Sequence, residues 1–257
     1  VDVDTVNLRR QVDEATARLA ATVTGLTDRD VGQPSALPGW TRGHLLTHVA
    51  RNADGLRNLL IWARTGVETP QYPSRDVRDA EIDAGAGRNA AELLADLRAS
   101  AAAFDAEAAA LSGQAWQATV RGLFGPDHPA WFTLVRRLTE VEVHHVDLDA
   151  GFGPDDWPAS FVAAQLPRTV ADFADRPDVP ACRIQVTGAA GASAAGVFEI
   201  GPIGPGRAPC TVSGTGPAVL AWLTGRSDGS GLTVEPAGGA AHLPPWAPNS
   251  GSGNTRR

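Results

Sequence analysis

Glycine and proline are spread very unevenly along this chain, and that limits where long helices can form. Residues 1–150 hold 11 of the 28 glycines and 6 of the 19 prolines, whereas residues 151–257 hold 17 and 13. Glycine weakens a helix interior and proline interrupts it, so extended helices belong to the first part. Four stretches there, 5–26, 41–65, 89–112 and 130–151, repeat apolar residues at spacings of three and four, as core-facing helices do. Thr41 follows Pro38-Gly39-Trp40 and is placed to cap the second of them. Together they predict a four-helix bundle. The connections at 66–88 and 113–129 are long, and the first is polar, which suits a functional loop. Beyond Gly151, short β-prone runs at 183–186, 197–200, 210–213 and 232–234 alternate with glycine and proline, and 217–224 reads as a helix. The expected class is α+β: a helical bundle over 1–152, a small α/β domain over 153–248 and a flexible tail over 249–257.

Charge narrows the function. All 22 basic residues are arginine, against 29 acidic ones, giving a net charge of −7. An acidic chain without a basic run predicts neither a nucleic-acid nor a membrane partner. The absence of lysine excludes Schiff-base chemistry and a phosphate-loop lysine. No apolar run approaches the ~18 residues of a membrane span, and the start VDVDTVNLRR lacks the layout of a signal peptide. A cytoplasmic monomer is the expectation. Cys182 and Cys210 cannot form a disulfide framework, and in that compartment they are expected as reduced, small buried residues.

The histidines carry the chemistry. His44 and His48 lie on the second predicted helix, in TRGHLLTHVARNADGL, and His144 and His145 on the fourth, in RRLTEVEVHHVDLDAGF. Residues four apart on a helix stand about 40° and ~6 Å apart, one turn above the other. Glu140 and His144 therefore form one stripe, and His48 lies nearer its helix's apolar face than His44. If these faces meet, two imidazoles and a carboxylate converge, a set that binds catalytic zinc and leaves a position for water or substrate. Glu142 with His145 is an alternative pair about 60° round the helix. A core histidine and a solvated glutamate would give the same pattern without any metal. Arg75 and Arg78 in the long loop, and Arg137 one turn before Glu140, are candidates for gripping an anionic substrate, though the two loop arginines could instead pair with Asp76, Asp79 and Glu81. Asp147 and Asn52 could orient ligand imidazoles. Two other motifs lack their context. Gly225–Gly229 matches G-x-S-x-G but follows a helix instead of preceding one, and Gly214-Thr215-Gly216 has Val219 where a dinucleotide loop needs glycine.

Three segments, LPGWTRGHLLTHVARN, WARTGVETP and RRLTEVEVHHVDL, resemble the mycothiol-dependent maleylpyruvate isomerases, which are DinB-like four-helix-bundle metalloenzymes. The resemblance runs through most of residues 5–155, and the strand-rich remainder looks like the sterol-carrier-related domain that often follows this bundle. It implies zinc held by His48, Glu140 and His144, with His44, Glu142 and His145 outside the ligand set. It also implies Arg78 on a substrate carboxylate, helped by Arg75 or Arg137, and mycothiol as a low-molecular-weight thiol cofactor. The implied reaction is cis–trans isomerisation of maleylpyruvate by thiol addition, bond rotation and elimination. A mycothiol S-transferase and a non-catalytic metal or small-molecule binding module are the alternatives.

Overall fold

A computed structural model describes residues 3–123, 126–174, 176–187, 196–202, 210–235 and 246. The expected tail and His242 fall outside these. The chain forms two compact units, one ending at Phe152 and the next beginning at Gly153, and is α+β.

The first unit opens with α1 (Thr5–Thr24), a short α2 (Asp28–Val31) and α3 (Arg42–Thr65). These are followed by α4 (Arg75–Gly85), α5 (Ala90–Ala110), a hairpin of β1 (Thr119–Arg121) and β2 (Asp127–Pro129), and α6 (Phe132–Asp147). Each long helix but α6 starts at a side-chain cap. Asp4 accepts from the Asn7 amide, Thr41 from His44 and Asn89 from Glu92, satisfying donors that the first turn leaves unpaired. Helix α3 ends at Gly66, whose φ of 74° is the left-handed closing turn that glycine adopts without strain. Around the bundle, α1 packs on α5, α5 on α3, α3 on α6 and α6 on α1. Leu19, Leu45, Leu56, Leu60, Leu97, Phe104 and Leu134 fill its centre.

Two elements occupy connections expected as loops. The hairpin lies in 113–129. Helix α4 lies in 66–88 and is capped by Ser74, which accepts from the Val77 amide. Its inward stripe is Arg78 and Ile82, so half of the face that periodicity would detect is a guanidinium.

In the second unit, α7 (Ala159–Ala174) is followed by β3 (Cys182–Thr187), β4 (Gly196–Ile200), β5 (Cys210–Thr215), α8 (Gly216–Leu223) and β6 (Thr233–Glu235). The sheet order is β4-β3-β5-β6, with β3 and β5 parallel and the outer pairs antiparallel. Helix α7 was not expected, because Pro167 reads as a breaker. The helix nonetheless continues through it on the apolar row Phe161, Val162, Leu166, Val170 and Phe173. The cysteines correct a second expectation: they are joined as a Cys182–Cys210 disulfide. Their separation of 28 residues hides the pairing in the sequence, but β3 and β5 run parallel in a register that sets Cys182 opposite Cys210.

Candidate metal centre

Helix α6 carries an unusual load for a helix buried on nearly every side. Arg136, Arg137, Glu140, Glu142, His144, His145 and Asp147 are all withdrawn from solvent, and buried charge is costly unless it is compensated. Part of the compensation comes from α3. His48 Nε2 lies 3.1 Å from Glu140 Oε2 and 3.1 Å from His144 Nε2, and His144 Nε2 lies 3.3 Å from the same Glu140 oxygen. The three side chains are buried and offer ligand atoms all within 4.8 Å of one another.

Each imidazole is held from behind. His144 Nδ1 donates to Asp147 Oδ2 at 2.8 Å, which fixes the tautomer that leaves Nε2 free to bind a cation. Behind His48, Arg78 donates from a terminal guanidinium nitrogen to Nδ1 at 3.1 Å and also pairs with Asp79 at 2.6 Å. A neutral ring that accepts at Nδ1 carries its proton on Nε2, facing Glu140. For His48 to ligate through Nε2, that proton must leave and Arg78 must turn from Nδ1. The Trp40 ring covers His48 with centroids 5.4 Å apart.

These contacts set the charges. Burial, with His144 and Arg78 nearby, pushes His48 down to about 4 and outweighs the pull of Glu140. For His144, burial opposes the proton, but hydrogen bonds to Asp147 and Glu140 outweigh it and raise the pKa. Burial likewise opposes ionisation of Glu140, yet the two histidines hold its carboxyl well below the usual range. A buried carboxylate and two imidazoles, one of them already held in the ligating tautomer by Asp147, form a donor set that fits a divalent ion such as zinc.

The other sequence candidates lie elsewhere. His44 closes the capping box of α3, its Nδ1 2.7 Å from the Thr41 hydroxyl. Glu142 pairs with Arg18 of α1. His145 Nε2 meets the Thr22 hydroxyl at 2.8 Å, and its ring stacks on Phe152. Both therefore engage α1, away from His48. Arg75 is exposed at the start of α4. Arg137 is fully buried and donates to Val49 O at 2.7 Å and to Asn52 Oδ1 at 3.0 Å. Asn52 thus holds an arginine and not an imidazole. Three residues beside the centre escaped the sequence reading: Gln71, Tyr72 and Arg136. Tyr72 is buried 6.0 Å beneath the Arg78 guanidinium, and burial pushes its phenol up to about 12, so it stays a neutral hydrogen-bond donor. Gln71 and Tyr72 lie between Pro70 and Pro73 in the long connection expected as a functional loop, where no spacing pattern points to either.

Comparison with known proteins follows the two units. The profile of the mycothiol maleylpyruvate isomerase N-terminal domain matches residues 12–149, a span that contains α3 and α6. The chain belongs to the mycothiol maleylpyruvate isomerase family. The profile of that family's C-terminal domain matches residues 156–245. The crystal structure of the mycothiol-dependent maleylpyruvate isomerase superimposes with a TM-score of 0.80 at 29% identity, covering 95% of this chain and 98% of that one. A histidine-to-alanine mutant of that isomerase gives the same coverage and TM-score at 28% identity. Among curated proteins, no sequence matches.

Proposed function

We propose that this chain is a zinc- and mycothiol-dependent isomerase that converts maleylpyruvate to fumarylpyruvate. The observation that carries the reading is the convergence of His48, Glu140 and His144 in a buried cluster of a chain that belongs to this family. When bound, zinc would supply the Lewis acidity that keeps a thiol ionised near neutral pH, and mycothiol the nucleophile that adds to the cis double bond and leaves after rotation.

The chain's own residues do the rest. His48, Glu140 and His144 hold the ion, and a three-residue set leaves a coordination position for sulfur. Asp147 retains the Nδ1 proton of His144 and keeps Nε2 directed at the ion. Arg78, once turned from His48 Nδ1, offers a bidentate fork to a substrate carboxylate. The neutral Tyr72 phenol beneath it can donate to the oxygen on which enolate charge develops. Burial of the cluster strengthens each of these interactions by excluding water.

Metal analysis and an ultraviolet assay test the proposal together. About one zinc per chain is expected, with maleylpyruvate turnover far exceeding the mycothiol supplied. His48→Ala should lose both metal and activity. Full zinc occupancy in that variant would overturn the ligand assignment. Consumption of one thiol per product would overturn the isomerase and indicate an S-transferase.

A further inference from the structure

Arg136 is only 3% exposed, yet among the described residues it has no carboxylate partner. Its hydrogen-bond partners are neutral, and Glu140, one turn along α6, offsets its charge only from a distance. One terminal nitrogen donates to Gln71 Oε1 at 3.1 Å and the other to His128 Nε2 at 3.2 Å, while its Nε has no hydrogen-bond partner among the described residues. The equally buried Arg78 has Asp79, whereas Arg137, which also donates only to neutral acceptors, is used by α3 through Val49 O and Asn52. A buried guanidinium held only by neutral hydrogen-bond partners, with its nearest acid already engaged by two histidines, keeps donor capacity that an anion from outside the chain would satisfy.

The surroundings hold this group in place. Gln71 Oε1 also accepts from the Leu123 amide at 3.0 Å. A Cβ on Gly122 would come within 2.5 Å of an Arg136 nitrogen and 2.8 Å of Gln71 Oε1, so the Gly122 backbone packs tightly against the pair. On the other side, Arg136 precedes Glu140 by four residues and stands about one turn, ~6 Å, below it on α6. Gln71 leads directly to Tyr72, over whose ring Arg78 lies. The contacts form a circuit from His48 to Glu140, along α6 to Arg136, through Gln71 and Tyr72 to Arg78, and back to His48. Two guanidinium groups flank Tyr72 on that circuit, and Arg137, the sequence candidate, is instead turned to α3.

We propose that Arg136 is a second carboxylate-binding residue of this site, gripping the far carboxylate of a dicarboxylic substrate while Arg78 grips the near one. The proposal rests on the isomerase reading, whose substrate carries two carboxylates. It makes the site selective for dicarboxylates over monocarboxylates of the same shape.

The test measures binding without turnover, so that its result stands apart from the isomerase assay. Maleate and isocrotonate, cis acids with two carboxylates and one, are titrated calorimetrically into the zinc-loaded full chain. Arg136→Met should weaken maleate about tenfold and change isocrotonate by less than about twofold, the loss expected for one charged hydrogen-bonded contact. Zinc content should be unchanged. Arg136→Lys keeps the charge without the fork and should fall between the two, which preserves the test if the methionine variant fails to fold. Equal losses for both acids, or unchanged maleate affinity in either variant, would overturn the proposal.

Discussion

His48 and His144 stand 3.1 Å apart and carry opposite electrostatic biases. His48 is pushed down to about 4 by burial and by neighbouring positive charge, so the folded chain favours its neutral form. Its contribution to stability is complete above the unfolded value of 6.5 and is lost as pH falls from 6.5 towards 4, on the order of 3 kcal/mol at most. His144 is raised despite burial, through Asp147 and Glu140, so its contribution is complete below 6.5 and is lost as pH rises through the folded value. Glu140, held low by both rings, adds a further loss below 4.5. The chelated, metal-free chain should therefore show a stability maximum near pH 6.5, read by denaturant melts across pH. Asp147→Asn removes the main partner of His144 and should flatten the alkaline limb while leaving the acid limb. The same variant should weaken zinc retention about 10- to 100-fold in a chelator competition, because the ring loses the partner that fixes its tautomer. An alkaline limb that survives Asp147→Asn would show that this carboxylate does not control His144.

At the level of elements, the long helices were legible because their apolar residues recur at helical spacing, and the metal-centre residues because E-x-x-x-H sets two polar groups one turn apart. Helix α4 was not, because its inward row alternates Arg78 with Ile82 and so carries only half of an apolar signal. Helix α7 was missed through Pro167, whose cost is outweighed by the burial of Phe161, Leu166 and Phe173. Arg136 was missed because nothing in a linear sequence says which of two adjacent arginines turns toward the centre and makes no direct ion pair among the described residues. The segment that places α4 depends on a close approach to α3. A Cβ at Gly55 would meet Gln71 O at 2.9 Å and the Tyr72 Cζ at 2.9 Å. Gly55→Ala gains about 1 kcal/mol of helix propensity, but it forces backbone and a buried ring to move, at about 1–3 kcal/mol. The net expectation is a less stable chain with weakened maleylpyruvate turnover and near-normal zinc content, since none of the three ligands touches Gly55. A rise in denaturation midpoint would show that the Gln71–Tyr72 segment yields freely and is not a rigid support.

Across the whole molecule, stability is organised differently in the two units. The first is a helical bundle whose centre mixes leucines with a buried polar cluster, and it has no covalent link. The second is a small unit with a four-stranded sheet, tied by Cys182–Cys210 across its parallel pair. Closing a loop over a separation of 28 residues removes unfolded-state freedom worth about 3–4 kcal/mol in the chain-entropy account. For a sheet with one three-residue edge strand, β6, that is a large share of what a unit this size retains. Cys182→Ser, or a phosphine reductant acting on the unfolded chain, should therefore lower the thermal transition of the unit beginning at Gly153. The zinc content and the pH profile of the bundle should not move, because every ligand and every residue that backs one lies before Phe152. Calorimetry on the intact chain, with zinc measured in the same samples, separates the outcomes. Loss of metal in step with loss of the disulfide would mean that the bundle takes its stability from the second unit, and the two would then have to be treated as one cooperative body.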